Sequence, residues 1–322
     1  MPRRCSCRRS RARSPALSEP ASRAATEGGS PRHAWLDSWS VRDQLDGLWE
    51  SQMAAVAAIG PALAALAGAV EASLPRLRAG GRLAYAGAGS SGRLGAQDGA
   101  ELEPTFDWPR DRLVLLIAGG MRALTEAVEN AEDDAEAALA QVAAHEIGPL
   151  DVLIGVAASG GTPFTVAAVG EARRRGALTI GVANSIGSAL LDAAEHPVLI
   201  ATGAEAIAGS TRLKAGTAQK VALNLLSTAM MTGLGRVHAG RMVDMQARNA
   251  KLRVRAVAMV AELAGCDATK AAAALLATGQ RVKPAILVAL GLSPEDAAGA
   301  LARNGGHLRP ALASVASGLA ST

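Results

Sequence analysis

A chain that sets Leu83-Ala84-Tyr85-Ala86 directly before Gly87-Ala88-Gly89-Ser90-Ser91-Gly92 has few folds open to it. The apolar run has the length of a buried strand. The glycines let the backbone turn sharply and come close to a ligand. Arg93 to Glu101 then reads as a helix, stopped by Pro104. A strand, a glycine-rich turn and a helix N-terminus together make an anion site. Free N–H groups project from the helix end, and its dipole favours negative charge. Phosphate is the expected ligand.

The same turn formally matches G-x-G-x-x-G, which raises the dinucleotide alternative. That fingerprint expects a carboxylate at the end of the next strand to hold the ribose. The next strand, Leu113 to Ala118, runs into Gly119-Gly120 instead. The paired hydroxyls of Ser90 and Ser91 suit a phosphate monoester better than a pyrophosphate. A tight turn with only a structural role is the other alternative.

Further along, Asp151 to Ala158 is a nearly continuous apolar run, as in a strand buried on both faces. It ends in Ser159-Gly160-Gly161-Thr162-Pro163, followed by a helix to Arg175. Leu178 to Ala183 and Val198 to Ala201 are further strands. Strand–helix alternation over this length predicts an α/β fold, a doubly wound parallel sheet flanked by helices. In such sheets ligands bind at the carboxyl ends of the strands. Ser90, Ser91, Ser159, Gly160 and Thr162 are therefore expected to converge on one phosphate, although hydroxyl and glycine residues are also ordinary βα-turn chemistry. Gly209 to Lys220 opens a long helix with Ser210 or Thr211 as its N-cap. Ser210, Thr211 and Lys214 are added as candidate substrate contacts.

Three segments are expected. Residues 1–32 form a basic tail, 33–265 the α/β domain, and 266–322 a small Ala- and Leu-rich helical segment with breaks near Gly279, Gly291 and Gly305-Gly306. The tail holds eight Arg against Glu19 and Glu27, or +6 of the net +4, which leaves −2 for the remainder. Its Arg, Ser and Pro content predicts disorder; a transit peptide or a start codon called too early would look the same, and an RNA-binding arm is the third alternative. The folded part carries no basic surface for nucleic acid. Cys5, Cys7 and Cys266 give neither a disulfide framework nor zinc spacing, and the five scattered histidines give no metal site. A reducing, cytoplasmic setting follows. Met53 to Val70 is uncharged and long enough to raise the question of a membrane span. It is mostly Ala, contains Gly60-Pro61, and lacks the density of large apolar residues that insertion requires. A helix packed on all sides, within the fold or an oligomer interface, is expected there instead, and no membrane contact.

Two acidic positions stand out. Glu101 closes the helix that begins at the first turn. Glu129 and Glu132 are three apart and would share a helix face. Paired carboxylates serve as general acid and base when their surroundings separate their pKa values; a solvated acidic face is the plainer reading.

Taken together, Gly87 to Gly95, Glu101 with Pro104-Thr105, Ala118-Gly119-Gly120 and Glu129 to Asp133 closely resemble the N-acetylmuramic acid 6-phosphate etherases. So do Ala157 to Gly160 with Thr162-Pro163, Gly209 to Lys220, Leu223-Asn224, Ser227-Thr228, Met242 to Asp244, and Asn249 with Lys251-Leu252. These blocks keep their order and spacing from about residue 40 to 255. The resemblance implies a sugar isomerase (SIS) fold, a homodimer, and no metal or organic cofactor. It implies cleavage of the lactyl ether of N-acetylmuramic acid 6-phosphate to N-acetylglucosamine 6-phosphate and D-lactate. It further implies that Glu101 protonates the departing lactate oxygen and that Glu132 removes the proton at carbon 2, the two facing one cleft. Glu129 is a further substrate contact on this reading. The chain departs from the family pattern at Gly161 (usually Arg), Phe164 (Tyr), Ser90 (Thr), Asn130 (Gly) and Glu103 (Pro). A non-catalytic sugar-phosphate sensor resembling glucokinase regulatory protein is the alternative. An isomerase of the same fold is a weaker third.

Overall fold

The structure, a computed structural model, describes residues 25–245 and 250–319. Cys5, Cys7, Asn249 and most of the basic tail lie outside these. Two helices, α1 (Val41–Ala57) and α2 (Leu63–Arg78), lead into β1 (Leu83–Gly87) and α3 (Gly89–Phe106). Then follow β2 (Leu113–Ile117), α4 (Ala135–Ala144), β3 (Val152–Ala157), α5 (Pro163–Arg174), β4 (Leu178–Ala183), α6 (Ala189–Ala193), β5 (His196–Leu199) and α7 (Lys214–Gly233). The five strands form one parallel sheet in the order β2-β1-β3-β4-β5. Strands β1, β3 and β4 are buried along their whole length, which is why each reads as an unbroken apolar run. One core lies between the sheet and α1, α2, α3 and α7, with Leu83, Tyr85, Ile154, Ile180 and Leu223 at its centre. A second lies on the other face against α4, α5 and α6.

The sequence order reverses at β1, whose neighbours β2 and β3 are reached in opposite directions. This is the switch point at which open α/β sheets bind ligands, because the loops after β1 and β3 diverge there and leave a crevice. The β1–α3 turn closes on itself tightly. A Cβ on Gly92 would stand 2.7 Å from the Gly87 carbonyl oxygen, and one on Gly87 would stand 2.9 Å from Gly92. Only glycine fits at both places. Helix α3 runs two residues past Pro104, so the proline does not stop it as expected. Set in the last turn, Pro104 forfeits one helical hydrogen bond while its fixed φ still suits the helix.

Beyond the sheet come a short hairpin, β6 (Val237–His238) with β7 (Arg241–Met242), and the helices α8 (Ala250–Ala264), α9 (Ala268–Ala277), α10 (Val282–Ala289), α11 (Pro294–Arg303) and α12 (Leu308–Leu319). These helices share a third core that also takes in Val243 and Met245. The helical segment therefore begins ahead of residue 266: α8 packs with α9 and α10 and not with the sheet.

Two further expectations change. Residues 25–32, the end of the expected disordered tail, form short 3-10 turns. Thr26 there is fully buried and Gly29 bridges to Glu205. Within a single chain the apolar stretch through Met53 to Val70 is also not packed on all sides, so the expected full burial would need an oligomer interface. The segment Val41–Arg78 is long and apolar enough to cross a membrane, yet it breaks at a 3-10 turn over Gly60–Ala62. Leu66, Ala69 and Leu77 of α2 are in the sheet core. Helix α1 leans on α7 with one face and leaves Leu45, Trp49, Met53 and Val56 exposed as a stripe on another.

Candidate active site

The loops after β1 and β3 line one cavity of about 470 Å³. Ser90, Ser91, Ser159 and Thr162 all line it. Gly160 sits directly behind: its φ of +67° makes the turn, and its carbonyl oxygen accepts from the Leu190 N–H at 2.8 Å.

The donors are mostly backbone. No side chain caps α3, whose first internal bond runs from the Gly92 N–H to the Ala88 carbonyl at 3.0 Å. The N–H groups of the residues before it are left to point out of the helix end into the cavity. Helix α5 is likewise uncapped by its Thr162 side chain and starts with Pro163, which has no N–H to satisfy. The Ser159 hydroxyl oxygen accepts from the Gly161 N–H at 3.2 Å, leaving its proton for an anion. No Lys or Arg among the described residues lines this cavity.

Ser91 is different. Its hydroxyl donates to Gln219 Oε1 at 2.9 Å, Gln219 Nε2 donates to Asn184 Oδ1 at 2.9 Å, and Asn184 Nδ2 donates to the Ile200 carbonyl at 3.0 Å. All three side chains are buried. The Ile200 carbonyl can only accept, so it fixes the direction of every bond in the chain. The Ser91 proton is committed to Gln219, and Ser91 offers the cavity its backbone N–H and hydroxyl lone pairs.

The carboxylates divide. Glu132 lines the cavity, and Asp133 beside it does so too. Glu129 borders an adjoining hollow together with Glu132. The two do not share an α-helix face as expected. Asn130 between them adopts a left-handed φ of 59°, and Ala131–Asp133 is a single 3-10 turn. Glu101 lines neither cavity and is exposed on α3. It stands twelve residues from Gly89, about 18 Å along the helix at 1.5 Å per residue. Within one chain Glu101 and Glu132 therefore do not face one cleft.

Helix α7 is capped by neither Ser210 nor Thr211. The buried Glu205 carboxylate takes both the Lys214 and Ala215 N–H groups at 2.9 Å. Thr211 does reach the cavity, but Ser210 does not line it, and the Lys214 ammonium is held by the Thr202 carbonyl at 2.7 Å. Two cavity residues escaped the sequence reading. Asp133 was hidden inside an acidic run, and Glu27 inside what reads as tail. Among the described residues no cluster of His, Cys, Asp and Glu could hold a metal ion.

A five-stranded parallel sheet whose switch-point loops turn hydroxyls and helix N-termini toward one cavity is the architecture of a SIS domain. The SIS domain family model matches residues 121–229, and the model of the glucokinase regulatory protein N-terminal SIS domain matches residues 65–172. The chain is 50% identical over 288 residues to the N-acetylmuramic acid 6-phosphate etherase of Deinococcus radiodurans, covering 89% of this chain and 94% of that one. It is 44% identical over 288 residues to that of Rubrobacter xylanophilus, covering 89% and 95%. Among solved structures it is similar to a phosphoheptose isomerase from Francisella tularensis, with a TM-score of 0.45 and 20% identity over 60% of this chain and 100% of that one. The chain belongs to the N-acetylmuramic acid 6-phosphate etherase family.

Proposed function

We propose that the protein cleaves the lactyl ether of N-acetylmuramic acid 6-phosphate, giving N-acetylglucosamine 6-phosphate and D-lactate. The observation that carries this reading is the meeting of Glu132 with Ser90, Ser159 and Thr162 in one cavity. An anion cradle alone would suit a sensor. A carboxylate in the same cavity as the cradle suits proton removal.

An alkyl ether is a poor leaving group, so the reaction needs help at two atoms. In the open-chain aldehyde, carbon 2 lies beside a carbonyl and its proton becomes removable. Glu132 takes that proton. The carbon 3–oxygen bond then breaks, its electron pair goes to the lactate oxygen, and Glu101 supplies the proton there. Water adds to carbon 3 of the unsaturated aldehyde, its second proton returns to the enzyme, and carbon 2 is reprotonated. Each proton transfer is typically worth about 10²–10⁴-fold in rate.

Glu101 reaches that oxygen from a second copy of the chain. Two features support a homodimer in which each site is completed by the partner. Helix α1 exposes an apolar stripe in a single chain, and a groove between α3 and α7 runs from Ser90 past Gln97, one turn short of Glu101. Phosphorylated sugars are held inside cells, so the reading carries a cytoplasmic site of action.

Purified protein should release D-lactate from N-acetylmuramic acid 6-phosphate. In heavy water, Glu132→Gln should lose both lactate release and solvent exchange at carbon 2. Glu101→Gln should lose lactate release and keep exchange. No lactate from the parent protein would leave the sensor reading standing.

A further inference from the structure

The cavity holds a carboxylate that neither proton transfer uses. Glu27 lines it on the side of Gly209 and Thr211, half-buried, and no described side chain pairs with it. Three contacts fix the strap that carries it. Thr26, fully buried, shares a 3.4 Å hydrogen bond with the Ser185 hydroxyl in the loop after β4. Gly29 forms a parallel bridge with Glu205, the residue whose carboxylate caps α7. Between them, Glu27 Oε2 lies against Gly209 so closely that a Cβ there would be 3.2 Å from it. The strap therefore spans the β4 and β5 loops and delivers one acid to the ligand cavity.

A carboxylate at neutral pH can only accept hydrogen bonds. Beside a phosphate it would be repelled, and the phosphate end of this cavity is already served by N–H groups and hydroxyls. Glu27 must address a part of the ligand that donates. We propose that Glu27 is a specificity-determining residue that accepts hydrogen bonds from the hydroxyl or amide N–H donors of the sugar, and that Thr26 is a positioning residue that holds it there. This rests on the sugar-phosphate reading of the site and adds to it the part of the substrate the phosphate cradle does not read.

The test compares two ligands by calorimetry: N-acetylglucosamine 6-phosphate, which carries the sugar donors, and inorganic phosphate, which does not. Glu27→Gln should weaken sugar-phosphate binding by about tenfold, since hydrogen bonds to a charged group are the stronger ones. It should leave inorganic phosphate bound as well as before or better, because a negative charge has left the cavity. Thr26→Val should show the same selective loss, and Glu27→Asp should fall between the parent and Glu27→Gln. A merely structural strap would weaken both ligands in parallel, and that result overturns the proposal. So does unchanged sugar-phosphate affinity in Glu27→Gln while the protein still releases lactate. If the parent protein binds phosphate but neither binds the sugar phosphate nor releases lactate, the underlying reading has failed and the role of Glu27 falls with it.

Discussion

Gly161 stands in the loop after β3 where the family usually has arginine. A Cβ there would meet only Ser159 Oγ at 3.9 Å, and its φ is not in the left-handed region. Nothing in the fold demands glycine, so the cavity has simply lost a cation. Gly161→Arg should lower KM for the sugar phosphate about tenfold with kcat little changed, the worth of one charge-assisted phosphate contact. Steady-state lactate release checks this; a changed kcat at constant KM would contradict it. Asn130 is the opposite case. The family glycine is replaced at a φ of 59°, and asparagine is among the few side chains that accept that conformation. At this scale the two cavity loops were legible, because strand, small residues and helix follow one another in sequence. The direction of the Ser91 hydroxyl was not, since Gln219, Asn184 and Ile200 set it from three distant elements. Nor was Glu27, whose neighbours in sequence have the composition of a tail.

Among the elements, the seam between α3 and α7 turns on one buried acid. Asp98 accepts from the Tyr85 hydroxyl at 2.7 Å, Asn224 at 2.6 Å and Ser227 at 3.2 Å. Burial and the neighbouring Asp98 charge push the Tyr85 hydroxyl well above its usual pKa, so it remains a donor at any ordinary pH. Asp98→Ala would strand three donors and should cost about 3 kcal/mol, read by urea unfolding. Where the helical segment meets the sheet domain, His307 packs against Gly235. Burial, with Arg78 and Lys283 nearby, holds its imidazole pKa below the ordinary value. The unfolded chain then binds the proton more readily, so stability is full above about pH 6.5 and declines as pH falls through the folded value. His307→Gln should flatten that decline, measured as unfolding free energy at pH 7.5 and 5.5. It should not abolish it, because burial and Arg309 depress His238 as well. Strands β1 to β4 were legible from their apolar runs, and α9, α10 and α11 from the glycines that end them. Strand β5 begins at His196, ahead of the expected Val198, because this edge strand buries only Val198, and the two-residue strands β6 and β7 carry no run to read. The turn at Ala131–Asp133 was not: an acidic, alanine-containing stretch reads as helix until the left-handed Asn130 interrupts it.

For the whole molecule, the sequence names two carboxylates and the single chain keeps them apart. Glu132 is in the cavity with Ser90, Ser159 and Thr162; Glu101 is exposed roughly 18 Å along α3 from Gly89. Sequence spacing could not reveal this, because it says nothing of which surfaces a second copy covers. The exposed Leu45, Trp49, Met53 and Val56 stripe on α1 is the kind of face that a twofold interface buries. In the proposed enzyme each site draws Glu132 from one chain and Glu101 from the other. The most direct measurement co-expresses the inactive Glu101→Gln and Glu132→Gln chains under separate affinity tags and assays lactate release from the mixture. A mixed dimer with sites shared across the interface carries both substitutions in one site and neither in the other. Half the dimers are mixed and one of their two sites is intact, so the mixture should recover about a quarter of the parent activity. Doubly tagged mixed dimers that release no lactate would place both carboxylates in the same chain's site and contradict the account.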